Sequence, residues 1–119
     1  MKMRVLLNSK IHNAVITKTE LNYSGSIGID KSLLLKSDIV PGEKVHVLNF
    51  NNGNRFETYV IEEGENSGII ALYGPAARCG MIGDKICIIS YILVTEDEIG
   101  TFKEKILLLD NNNRVIDST

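Results

Sequence analysis

The stretch Asn22-Tyr23-Ser24-Gly25-Ser26-Ile27-Gly28-Ile29-Asp30 decides how the chain is read. Polar residues lead into Gly25-Ser26, and Ile27 and Ile29 then alternate with Gly28. This pattern predicts a tight turn followed by a short strand. Glycine accepts backbone angles that other residues resist. A strained peptide beside a serine hydroxyl can do more than turn: Ser26 can attack the Gly25 carbonyl, shift the backbone from amide to ester, and then eliminate. The chain would be cut between residues 25 and 26, leaving on residue 26 a pyruvoyl group, an electrophilic ketone made without any added cofactor. Gly-Ser is a common dipeptide, and by itself it favours the plain turn.

Working outward, Asp30 is placed to cap a helix over about residues 31–37, with Leu33-Leu34-Leu35 available to cover a barrel end. Upstream, residues 3–7 and 14–17 read as strands, with Lys10-Ile11-His12 between them or at their edges. Lys10 and His12 share a face if that segment is extended, and two solvated polar groups are its simplest reading. Downstream, residues 44–50 and 55–61 read as two strands joined by Asn51-Asn52-Gly53-Asn54, a hairpin signal because Asn-Gly tolerates positive φ at both turn positions. Arg55, Glu57, Tyr59 and Ile61 fall on one face of the return strand, and Phe56, Thr58 and Val60 on the other. Residues 68–73 form a buried strand before the small-residue loop Gly74-Pro75-Ala76-Ala77-Arg78. Residues 85–94 form the most apolar strand, Thr95 and Glu98 a capping box, and residues 106–109 and 114–116 a last strand pair.

A weak repeat links Pro41-Gly42-Glu43-Lys44-Val45-His46-Val47 to Ile82-Gly83-Asp84-Lys85-Ile86-Cys87-Ile88. Similar turns before strands are common. Taken as a signal, the repeat predicts two related halves wrapped into one closed barrel, which also removes exposed sheet edges.

Composition narrows the classes. With 119 residues the chain has room for one domain with its own core. Apolar residues make up 44% and charged residues 24%, a globular balance. The net charge is -2, the pI is about 5.7, and no basic run stands out, so nucleic acid is not an expected partner. The longest nearly apolar run, residues 86–94, is too short for a membrane span, and no secretory signal is evident at the start. A cytoplasmic protein is expected. Cys79 and Cys87 are too few for a disulfide framework, and His12 and His46 lie far apart, so no metal site is expected.

Five motifs then occur in order: Lys10-Ile11-His12, Tyr23-x-Gly25-Ser26, Asn52-Gly53-x-Arg55-Phe56-x-Thr58-Tyr59, Gly74-Pro75-Ala76-Ala77-Arg78, and Gly83-Asp84. Their order and spacing resemble the pyruvoyl-dependent, self-processing aspartate 1-decarboxylase family over roughly residues 1–116. The resemblance implies a mainly β fold, a small closed double-psi β-barrel with two or three short helices. It also implies a homotetramer with active sites between subunits. The single domain 1–119 would be cut into 1–25 and 26–119. The activity would convert L-aspartate to β-alanine and carbon dioxide for pantothenate, and so coenzyme A, synthesis. Neither a metal nor pyridoxal phosphate is implied. Some family members need a helper protein for cleavage, which makes a maturation factor a candidate partner.

By position, Ser26 would become the pyruvoyl group and form a Schiff base with the substrate amine. Tyr59 matches the proton donor to the carbanion. Arg55 would bind a substrate carboxylate, for which its planar fork is suited. Lys10 would be a second cation for the dianion, and Thr58 would serve both processing and substrate binding. Gly74, Pro75 and Ala76 would lay their backbone along the substrate, while His12 and Tyr23 line the site. Without the resemblance, Tyr59 reads as a half-buried strand tyrosine and Arg55 as a solvated hairpin arginine. Two positions depart from the family: Tyr73 replaces an asparagine that helps position the turn or substrate, and Asn13 replaces an arginine. Two other readings remain. One is a pyruvoyl decarboxylase for another small acidic amino acid, such as glutamate. The other is a processing-defective barrel acting as a binding or assembly module, to which Tyr73 points.

Overall fold

The computed structural model describes all residues, Met1–Thr119. The fold is mainly β. The strands are β1 (Met3–Val15), β2 (Lys18–Glu20), β3 (Ser26–Asp30), β4 (Lys44–Asn49), β5 (Arg55–Glu63), β6 (Ile70–Tyr73), β7 (Lys85–Thr95), β8 (Lys105–Leu109) and β9 (Val115–Ser118). Helix α1 spans Lys31–Ser37, helix α2 spans Glu96–Ile99, and a short 3-10 helix covers Gly74–Arg78.

Side by side, the strands run β2-β6-β3-β5-β4-β7-β1-β8-β9. β1 and β2 are successive stretches of chain, separated by Ile16 and Thr17, yet β1 pairs with β7 and β2 with β6. The Thr17 amide donates to the Ile70 carbonyl at 2.8 Å, so the crossing segment is itself bonded to the far sheet. The strand order therefore wraps into a small barrel, with the β8–β9 hairpin laid against β1. Ile11, Ile16, Ile27, Ile29, Val47, Val60, Leu72 and Ile88 are fully buried in its interior.

The repeat has a geometric counterpart. Gly42 and Gly83 both take left-handed backbone angles, φ 88° and 96°. The Gly42 amide donates to the Val60 carbonyl, and the Val60 amide donates to the Glu43 carbonyl. In the same way Gly83 bonds Ile16 and Ile16 bonds Asp84. The two repeat strands, β4 and β7, lie antiparallel with Val47 opposite Ile88, His46 opposite Ile89 and Leu48 opposite Cys87. These pairs exchange under a two-fold axis through Val47 and Ile88. Two interlocked halves related in this way fit the double-psi arrangement.

Two local readings are corrected. The predicted strands at 3–7 and 14–17 are one strand, β1, which includes Lys10-Ile11-His12. Register shifts at Leu7/Ser9 and Ile11/Ala14, the second at Asn13 with φ 65°, break its alternation and hide its continuity. In the hairpin between β4 and β5 only Gly53 has positive φ. The loop is instead tied by side chains: Asn49 Oδ1 accepts from the Asn51 amide at 2.8 Å and Asn52 Oδ1 from the Asn54 amide at 2.9 Å.

Helix α1 begins where expected. Asp30 caps it, and Leu33 and Leu34 are buried while Leu35 is exposed. The Asp30 carboxylate, itself fully buried, does more than cap. Oδ1 accepts from the Ser32 amide, the Ser32 hydroxyl and the Asn66 amide, and Oδ2 from the Gly68 amide at 2.8 Å. Burial raises its pKa, but the Gly68, Ser32 and Asn66 bonds outweigh burial and hold it below the ordinary 3.8. A depressed folded-state pKa adds stability above the ordinary value, and that stability is lost as pH falls through the folded value. Asp30→Ala strands these donors and should cost about 3–4 kcal/mol at neutral pH. Urea unfolding at pH 7 and at pH 3 should show the wild-type advantage shrinking in acid; an equal advantage at both would remove Asp30 as the cause.

Candidate active site

Ser26 opens β3. It lies opposite Tyr73 on β6, while the parallel partner β5 joins only at Ile27, opposite Val60. Residues 55–59 of β5 therefore run past the start of β3 with no β3 neighbour. A cleft of about 380 Å³ opens there, lined by Ser24, Gly25, Phe56, Glu57, Thr58, Tyr59, Pro75, Ala76 and Cys79. That volume suits a small metabolite.

The turn is held in a conformation that suits glycine. Gly25 has φ 108° and Gly74 has φ 65°. A Cβ on Gly74 would lie 2.7 Å from Gly25 N and Cα and from the Tyr23 carbonyl oxygen, so only glycine lets the end of β6 lie against the turn. Ser26 is fully buried and its Oγ makes no hydrogen bond within the chain. Burying an unpartnered hydroxyl costs about 1–3 kcal/mol. No competing partner ties this hydroxyl away from the adjacent carbonyl.

The structure gathers part of the expected set. Gly25, Thr58, Tyr59, Pro75 and Ala76 line one cleft, with Ser26 and Gly74 adjoining its Gly25. Tyr23 packs on Tyr73 with ring centroids 4.7 Å apart, and Lys18 Nζ lies 5.4 Å from the Tyr73 ring. The Tyr73 hydroxyl donates to Glu63 Oε2 at 2.6 Å. Burial first, then the Glu63 hydrogen bond, holds the Tyr73 proton well above the usual phenol range.

Lys10, His12 and Arg55 do not line the cleft of a single chain. Lys10 lies opposite Ile89 on β7 and Ile106 on β8. It is close enough to Cys87 to pull that thiol down, although burial wins and pushes it up to about 11. His12 meets Phe50 edge-on at 5.4 Å. Arg55 is exposed at the start of β5, opposite Leu48 and on the same strand face as Tyr59.

Sequence reading missed Cys79, Glu63 and Gly28. The Cys79 carbonyl accepts from the side-chain amides of Asn49, Asn52 and Asn54, which fixes the end of the 3-10 helix to the β4–β5 hairpin. Gly28 leaves the space that the Glu63 side chain fills. A glycine inside a strand, marking a close approach, was the available signal. A second and larger groove, about 620 Å³, is lined by Val5, Lys44, Val45, His46, Glu57, Tyr91, Ile92 and Leu93 and contains none of the expected site residues.

The class defined here is a small β barrel with a cleft at a left-handed Gly-Ser turn. Comparison with known proteins narrows that class. The family model described as aspartate decarboxylase matches residues 1–116, and the chain belongs to that family. It is 49% identical over 113 residues to the aspartate 1-decarboxylase of Thermoanaerobacter pseudethanolicus, covering 95% of this chain and 97% of that one. It is 53% identical over 110 residues to the aspartate 1-decarboxylase of Clostridium botulinum, covering 92% and 87%. The corresponding Bacillus cereus protein is 49% identical over 114 residues, covering 96% and 90%. No helix of the chain is long and apolar enough to cross a membrane.

Proposed function

We propose that the chain decarboxylates L-aspartate to β-alanine after cutting itself between Gly25 and Ser26. The observation that carries this reading is the buried, unpartnered Ser26 hydroxyl beside a glycine at φ 108°, in a chain of this family. Ser26 Oγ adds to the Gly25 carbonyl carbon, and the Gly25–Ser26 C–N bond breaks to leave an ester and a free amine. Thr58, which shares the cleft with Gly25, is the residue assigned to stabilise the oxyanion. Loss of the Ser26 Cα proton and rupture of the Cβ–O bond then release the Gly25 carboxylate. Water converts the resulting dehydroalanine to a ketone, with loss of ammonia.

The residues fit the group this creates: its carbon skeleton is that of Ser26, already enclosed at the cleft. The pyruvoyl group would supply an electrophilic carbonyl that engages the substrate amine and takes up electrons as carbon dioxide leaves. The chain's own residues do the rest. Tyr59, half-exposed in the cleft, is assigned to deliver the proton to the substrate carbon. Pro75 and Ala76 line the cleft, and the backbone of Gly74, Pro75 and Ala76 is assigned to lie along the substrate. Arg55 and Lys10 supply cations for the two carboxylates.

Arg55, Lys10 and His12 do not line the cleft of one chain, which fits a site completed between subunits of a homotetramer. Met3, Val5 and Leu93, at least half exposed on the β1–β7 ribbon, give a second copy an apolar face to cover.

The reading is tested on a denaturing gel. The purified chain should separate into fragments 1–25 and 26–119. The larger one should be one ammonia lighter than a serine-headed fragment, and phenylhydrazine should consume its carbonyl and stop β-alanine formation. A chain that stays whole after prolonged warming, yet decarboxylates aspartate, would overturn it.

A further inference from the structure

Tyr73 and Glu63 sit on opposite sides of β3. Tyr73 belongs to β6 and lies opposite Ser26, and Glu63 belongs to β5 and lies opposite Asp30. Their hydrogen bond, 2.6 Å from the phenol to Oε2, must therefore pass over β3 between residues 26 and 30. Gly28 is the residue it passes. A Cβ there would lie 2.9 Å from Glu63 Cγ and Cδ and would overlap Oε2. The three residues form one device: an acid on one strand, a phenol on another, and a bare backbone between them.

The device reaches the cutting turn by two contacts. The Tyr73 ring packs on Tyr23, three residues before Ser26. The next residue after Tyr73 is Gly74, where even a Cβ would lie 2.7 Å from the Gly25 backbone and the Tyr23 carbonyl oxygen. Fixing the Tyr73 phenol thus fixes both the ring that holds residue 23 and the backbone that holds residue 25. Tyr73 is nearly buried, so it has little freedom to find another partner.

We propose that the Tyr73–Glu63 bond is a strap across β3 that holds the Gly25-Ser26 turn in its cutting geometry, making Tyr73 and Glu63 positioning residues for self-cleavage. The strap does not touch the reacting atoms. It acts through the orientation of residues 23–25 relative to Ser26 Oγ, where small misplacements change rates strongly. The proposal rests on the self-cleavage reading above.

The test follows cleavage of freshly prepared, uncut chain by intact mass. Tyr73→Phe keeps the ring on Tyr23 and removes only the hydroxyl. Tyr73→Phe and Glu63→Ala should each slow cleavage about tenfold. The double variant should be no slower than the slower single, because both remove the same bond. Glu63→Gln, whose amide oxygen still accepts, should cut within about twofold of wild type. A Tyr73→Phe chain that cuts at the wild-type rate, or single effects that multiply in the double, would overturn the strap while leaving self-cleavage standing. Amide hydrogen exchange in the Ser26→Ala background gives a readout that needs no cleavage. Adding Tyr73→Phe should speed exchange at residues 23–26 about tenfold. If wild type never cuts, the self-cleavage reading falls and takes the positioning role with it, and unchanged exchange overturns the strap in either case.

Discussion

Ser26→Ala is expected to give a folded chain that stays in one piece and does not turn over aspartate. On the proposed reading, the substitution removes the hydroxyl that would attack the Gly25 carbonyl, and with it the source of the electrophilic ketone. What remains can bind a substrate but cannot accept its electrons, so activity should fall on the order of 10⁴-fold or more. Stability should move the other way or not at all. Ser26 Oγ is fully buried and makes no hydrogen bond, so its removal relieves up to about 1–3 kcal/mol of desolvation. Circular dichroism melting, gel analysis and a β-alanine assay on the same preparation separate these effects. A Ser26→Ala chain that still splits at residue 25 would show that another group opens the peptide.

For Arg55→Ala the expected result is a chain that cuts itself normally but loses aspartate turnover about 100-fold or more in kcat/KM. The estimate follows from losing two charge-assisted hydrogen bonds to a carboxylate. Arg55 is exposed, takes part in none of the chain's ion pairs, and lies at the outer end of β5. Its loss should therefore leave the barrel intact and separate substrate binding from folding. Arg55→Lys should recover only part of the rate, because an ammonium keeps the charge but not the planar fork. Steady-state kinetics on fully cut protein decide the matter, and an unchanged kcat/KM would remove Arg55 from the site.

Elements whose cause is local were readable in the sequence. Asp30 caps α1, and Lys31–Ser37 is helical, as the cap and following leucines predict. Thr95 and Glu98 make the expected capping box. The two glycine-acid-lysine turns proved to be symmetry mates because their hydrogen-bond partners, Val60 and Ile16, are equivalent. Features set by partners far along the chain were not readable. The continuity of β1 was hidden by two bulges, and the one at Asn13 makes sense only beside β7. Asp30 looked like a simple cap, yet two of its donors, Asn66 and Gly68, come from a loop over thirty residues away.

The candidate site divides along the same line. The Gly25-Ser26 turn and the Gly74 loop are contiguous motifs, and they lie side by side. Lys10, His12 and Arg55 matched by position but do not line the cleft of one chain. Tyr73 looked like a loss, an asparagine gone from a positioning role. Beside Glu63 and Gly28 it gains a partner that its own segment gave no hint of.

The seam of the barrel has a consequence for what a cut chain can do after it unfolds. Fragment 1–25 would carry β1 and β2, which are bonded to β7, β8 and β6 of the remainder. Cutting at residue 25 would therefore release nothing; the short piece stays threaded through its partner like a dowel. Once melted apart, however, the pieces must find each other by diffusion. Refolding changes from a first-order to a second-order process, slowed by dilution and exposed to aggregation of the longer piece. The uncut chain would then be the form that folds, and the cut form a product whose persistence depends on its rate of coming apart.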